Sequence, residues 1–164
     1  MQYEYKNNVG YQYMSQEESI EEIYKQVITD PTLLSTIDVD ALLEKIEDDH
    51  YLEGRTLENI SEEIYDALLR VEEKSKDYCM RLIGYRLIDR ICDLRNGRLI
   101  RWVKKSNGIL TNGGLLMNVK IEDKGIILLC KNNAHRFFNL RFDDSIVFQK
   151  LTMEEQLVLM ANSQ

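Results

Sequence analysis

The sequence predicts an α+β fold: an N-terminal helical bundle, a small five-stranded antiparallel SH3-like barrel, and a C-terminal helix. Three observations carry that expectation. Apolar residues recur at helical spacing as far as Leu94, then alternate with polar ones from Arg98 onward. Turn signals then follow at short intervals: Ser106-Asn107-Gly108, Asn112-Gly113-Gly114, Asp123-Lys124-Gly125 and Asn132-Asn133. Charge also changes sign. Residues 1–97 carry 22 acidic and 11 basic side chains, whereas residues 98–164 carry 6 acidic and 10 basic.

Residues 1–14 stand outside this pattern. Tyr3, Tyr5, Tyr11 and Tyr13 form two Tyr-x-Tyr pairs around a polar stretch, which suits either a partner-binding arm or a tail folded on its own domain. The acidic helical domain is expected over 15–97. Ser15 and Glu18 fit a capping box for a helix with Ile20, Ile23, Tyr24, Val27 and Ile28 inward. That helix should stop before Asp30-Pro31, because the residue before proline disfavours helix. Asp38 should cap a short second helix presenting Val39, Leu42, Leu43 and Ile46, which ends in the acidic run Glu47-Asp48-Asp49.

The strongest helical stripe is Leu57, Ile60, Ile64, Ala67, Leu68 and Val71, with Glu58, Glu62, Glu63, Asp66 and Glu72 opposite. The stripe breaks across 72–77. A further helix is expected to carry Tyr78, Leu82, Tyr85, Ile88, Cys92 and Leu94 to a stop at Asn96-Gly97. Five strands then fill 98–151: Arg98–Lys105, a strand over 115–122 with Leu115, Met117, Val119 and Ile121 on one face, Ile126–Cys130, His135–Phe142 and Ser145–Leu151. Thr152 with Glu155 is a second capping box, opening the terminal helix over 152–164.

Composition bounds the class of protein. Apolar residues at 44% and charged residues at 30% belong to a folded chain, not a disordered one. No apolar run reaches the roughly 18 residues a membrane span needs, and MQYEYKNN lacks the layout of a secretion signal. Cys79, Cys92 and Cys130 form no CxxC pair and are odd in number, so they read as buried thiols in a reducing, intracellular compartment. With two histidines and no ligand spacing, neither a metal nor another cofactor is expected.

Catalytic patterns are equally sparse. There is no GxSxG and no HExxH, and Thr111-Asn112-Gly113-Gly114 lacks the lysine and the following helix of a phosphate loop. Asp143-Asp144 reads as a solvated turn and His135 as a surface residue. The binding signal is stronger. Arg98, Arg101, Lys104, Lys105, Lys120, Lys124, Lys131, Arg136 and Arg141 punctuate the strand region, where only Glu122 and Asp123 oppose them before residue 142. Trp102, Phe137, Phe138 and Phe142 lie among them. Such a face can hold single-stranded nucleic acid or dock an acidic protein, while the same rings can simply fill a core.

Four stretches add a resemblance: Gly84-Tyr85-Arg86-Leu87-Ile88-Asp89, Asn96-Gly97-Arg98-Leu99-Ile100-Arg101-Trp102, Leu110-Thr111-Asn112-Gly113-Gly114, and Phe142-Asp143-Asp144 through Phe148-Gln149-Lys150-Leu151. Over roughly residues 30–160 the chain resembles a family of uncharacterised proteins of nucleocytoplasmic large DNA viruses. The resemblance implies a place in the virion or the host cytoplasm, and a non-catalytic structural or assembly role, such as a minor capsid component contacting other virion proteins or itself. A nucleic-acid-binding accessory protein is the alternative expectation.

Overall fold

Helical patterns give helices and alternating patterns give strands, except over Tyr85–Ile88 and at a bulge within the strand over 114–122. The structure, a computed structural model, describes residues 20–46, 50–71 and 75–164. The tyrosine segment 1–14, the capping pair Ser15 and Glu18, and the acidic run 47–49 lie outside the described residues. The chain divides into two compact units.

One unit takes the described residues up to Leu57 together with Thr152–Gln164. Helix α1 (20–29) stops before Asp30, whose carboxylate accepts from the Thr32 amide at 3.1 Å and caps a 3-10 segment, Pro31–Thr36. Asp38 caps α2 (Val39–Leu43) in the same way, accepting from the Ala41 amide at 3.1 Å. The C-terminal helix, Met153–Asn162, opens with the expected capping box of Thr152 and Glu155 and packs on α2 and Pro31–Thr36. Its Leu157, Val158 and Leu159 are buried. Tyr24 donates to Gln156 Oε1 at 2.8 Å, and Asn162 Nδ2 donates to the Leu52 and Arg55 carbonyls, each at 2.9 Å.

The second unit spans Glu58–Leu151. Helix α3 (Leu57–Leu69) buries Ile60, Ile64 and Leu68, and α4 (Ser75–Arg81) is a separate short helix, as the broken stripe predicts. The expected continuation of helix to Asn96-Gly97 is corrected. Gly84 takes a left-handed φ of 84°, which ends the helical run, and Tyr85–Ile88 becomes strand β1. Acidic α3 and the basic strands therefore share one compact body.

Strands β2 (Leu99–Lys104), β3 (Gly114–Glu122), β4 (Gly125–Lys131), β5 (Phe137–Arg141) and β6 (Ser145–Lys150) match the five expected strands. The barrel expectation is corrected. The sheet has six strands in the order β1-β6-β2-β3-β4-β5, entirely antiparallel, and its end strands do not pair. Both edges of β6 are taken, by β1 and β2, which leaves none for β5. The sheet is open.

Its inner face gathers Ile88, Ile100, Trp102, Leu116, Leu128, Cys130, Leu140 and Val147. The expected β3 face of Leu115, Met117, Val119 and Ile121 is also corrected, because a bulge lies between Leu116 and Asn118. The extra residue reverses the alternation, so Leu116 and Val119 both point inward. Gly113 explains the glycine pair that precedes β3. Its φ is 94°, and a Cβ there would sit 2.3 Å from the Ile100 carbonyl oxygen. It serves close backbone approach where the chain enters β3.

Gln149 is wholly buried in β6. Its amide accepts from the Arg95 N–H at 2.9 Å and donates to the Arg95 carbonyl at 2.8 Å, fixing the crossing segment that precedes β2. Gln149→Leu removes both partners. Urea denaturation should show a loss of about 2–4 kcal/mol of unfolding free energy, from two backbone groups left without partners.

Candidate functional site

Strand register divides the basic residues between surfaces. Across β3, β4 and β5 the ladder aligns Lys120 with Ile127 and Arg141, Asn118 with Leu129 and Asn139, and Leu115 with Lys131 and Phe137. Side chains alternate across a strand, so these rows share the face opposite Leu128, Cys130 and Leu140. Lys120, Arg141, Asn118, Asn139 and Phe137 are exposed there, and Ile127, Leu129, Leu115 and Lys131 are half-buried. The Lys131 ammonium lies 5.7 Å from the centre of the Phe137 ring. Aliphatic side chains thus run down β4 between flanking cations and amides, with one aromatic at the end.

The other expected residues fall elsewhere. Arg98 lies in the turn before β2, and Arg136 follows the β4–β5 turn, whose Asn132 side chain accepts from the Ala134 and Arg136 amides at 2.9 and 3.0 Å. His135 occupies that turn with φ 59° and stands outside the strand expected to begin there. Lys104 and Lys105 lie where β2 ends, beside the start of β6. Arg101 is structural. Its Nε donates to the Thr111 carbonyl at 2.9 Å and its Nη1 to the Arg81 carbonyl at 2.8 Å. Burial first, and then the neighbouring Arg81 charge, lower its pKa, consistent with a partly desolvated cation held by carbonyl oxygens.

The rings divide too. Trp102 is buried and packs on Phe138 with centroids 5.5 Å apart, while Phe138 and Phe142 lie against the inner core. Phe137, 59% exposed, is the ring the sheet presents outward among the four. Sequence reasoning named the cations and rings but missed Ile127, Leu129, Asn118 and Asn139. The run Ile126–Cys130 is apolar on both faces, so its period gives no sign of which residues face out.

Among the described residues no three or more His, Cys, Asp or Glu side chains are grouped to hold a metal ion. Nor is any described helix long and apolar enough to cross a membrane. Asp143 and Asp144 occupy a 3-10 turn, Phe142–Asp144, where the Asp143 carboxylate accepts from the Ile126 amide at 3.3 Å and Asp144 lies 3.5 Å from Arg141 Nε. The Asp143 carboxylate ties this turn to the start of β4, and Asp144 pairs locally with Arg141. No protein-family model, curated protein or solved structure matches the chain.

Cys130 is fully buried, and burial pushes its thiol from 9.0 to about 11. Cys92 is exposed. The folded chain keeps the Cys130 proton that the unfolded chain releases above pH 9, so stability should fall as pH rises from about 9 to 11. Cys130→Ala should flatten that part of a denaturation-versus-pH profile. At neutral pH a thiol reagent should label Cys92 quickly and Cys130 only after unfolding.

Proposed function

We propose that the chain is a non-catalytic structural or assembly protein of a large DNA virus, a minor capsid or virion component located in the virion or host cytoplasm. It docks other virion proteins on the outer face of β3–β5. One observation carries this reading: register brings Lys120, Arg141, Lys131 and Phe137 onto one solvent-facing surface around a half-buried aliphatic strip. The resemblance of Gly84–Asp89, Asn96–Trp102 and the β6 region to proteins of such viruses supports the viral assignment.

The mixture of groups favours a protein partner. Non-specific binding of a single strand needs several rings on which successive bases stack. Here Trp102 and Phe138 are turned inward, and Phe137 alone of the four is exposed. An acidic protein surface with an apolar centre matches the aliphatic strip and its cations. Burying the Phe137 side chain contributes about 1.5–3 kcal/mol, whereas each exposed ion pair contributes about 0–1 kcal/mol and acts mainly on the association rate. The tyrosine segment, Tyr3 to Tyr13, would add a second contact.

Tagged chain should co-sediment with particles from infected cells, and the double variant Lys120→Glu with Lys131→Glu should leave that fraction while keeping the wild-type thermal transition. Continued co-sedimentation of the double variant would refute the docking face. Salt-sensitive retention of single-stranded DNA, abolished by the same double variant, would move the assignment to nucleic-acid binding. Deleting residues 1–14 should preserve folding and weaken particle association about ten-fold or more, as expected when one of two linked contacts is lost.

A further inference from the structure

The two free ends of the sheet are built differently, and the difference points to a second binding surface. Strand β1 is short, and its second residue, Arg86, points inward, 5% exposed, with Nη2 donating to the Asp93 carbonyl at 2.6 Å. An inward-pointing charge on a four-residue edge is a known device against strand addition. Strand β5 has none. It contains no proline or bulge, its inward residues are Phe138 and Leu140, and its backbone bonds to β4 alone among the described residues.

Beside that edge lies a cleft of about 590 Å³. Residues 104–106, 139–141 and 143–145 line it. Its carboxylates are engaged, Asp143 with the Ile126 amide and Asp144 with Arg141. Among the described residues its lysines hold no carboxylate: Lys105 donates to the Asp143 backbone carbonyl at 3.0 Å, and Lys104 is exposed. The cleft therefore combines the free backbone edge of β5 with three cations, Lys104, Lys105 and Arg141, against the two carboxylates of Asp143 and Asp144.

We infer that the free edge of β5 accepts an extended acidic segment of a partner protein as an added strand. Main-chain hydrogen bonds to residues 137–141 supply the register, and Lys104 and Lys105 select carboxylates. Strands pair about 4.8 Å apart, so an added strand would enter the cleft that residues 104–106 also line. This inference rests on reading the chain as a docking protein, but it uses the backbone edge of β5, which adjoins the outer face at Phe137, Asn139 and Arg141 and lies two strands from Lys120.

The test titrates full-length chain into a fluorescein-labelled decapeptide of alternating Val and Glu. Two controls accompany it, one with Lys in place of Glu and one with alternate amides N-methylated. Saturable binding of the Val/Glu peptide is expected, with a loss of about ten-fold or more for each control. Amide NMR shifts should centre on 137–141 and 104–106. Lys104→Glu should weaken binding about ten-fold, while Lys120→Glu leaves it unchanged. Lys120→Glu instead reports on the outer face, so failure of one surface is distinguishable from failure of the other. Equal binding of the N-methylated peptide, or no binding up to about 1 mM, overturns the proposal. Self-association through residues 137–141 would also overturn it, by placing a second copy on the edge.

Discussion

Strand β6 is buried on both faces, and the sheet is assembled around it. Val147 and Gln149 face the inner side, and Phe148 the outer side, each no more than 1% exposed. Ladders run along both of its edges, to β1 and to β2. Because β6 comes last of the strands in sequence, β1 and β2 enter one sheet only when β6 lies between them. Loop closure over such separations is costly and must be met before the pairing is rewarded. The buried amide of Gln149 extends this control beyond the ladder, tying down Arg95 through both its backbone groups. A polar side chain in such a place is tolerated because its bonds are satisfied, and it selects one path for the crossing segment.

This arrangement also decides which surfaces stay open. With β1 on one side of β6 and β2 on the other, β5 is left as an edge despite being joined to β6 by a single 3-10 turn. Near β2 the outer side of the sheet is engaged by α4, through Tyr78 donating to the Gly108 carbonyl at 2.9 Å and Arg101 donating to that of Arg81. The β3–β5 part keeps Lys120, Asn139, Arg141 and Phe137 in solvent. The same face is thus packed at one end and exposed at the other.

Much of the local structure was legible in the residues. Asp38, Thr152 and Glu155 marked helix starts because a short side-chain acceptor meets a free amide one turn on, a relation within a few residues. The strand periods from Arg98 onward, and the break before α4, were legible for the same reason. Tyr85–Ile88 was not, since its apolar spacing also fits a helix and only pairing with β6 makes it strand. The bulge at Met117 left no local mark either, and it exchanged the faces of β3. The site was therefore half legible. Its cations and Phe137 stood out by type, while the carbonyl partners of Arg101, ten and twenty positions away, did not.

By itself the sequence determined helix caps, the concentration of basic charge after residue 97 and most element types, because each depends on neighbours within a turn or a hairpin; Tyr85–Ile88 is the exception. Tertiary structure alone decided which strands pair, which faces are buried and which edge is free. Those outcomes follow from competition among distant segments for the two edges of β6, and no local pattern encodes the winner.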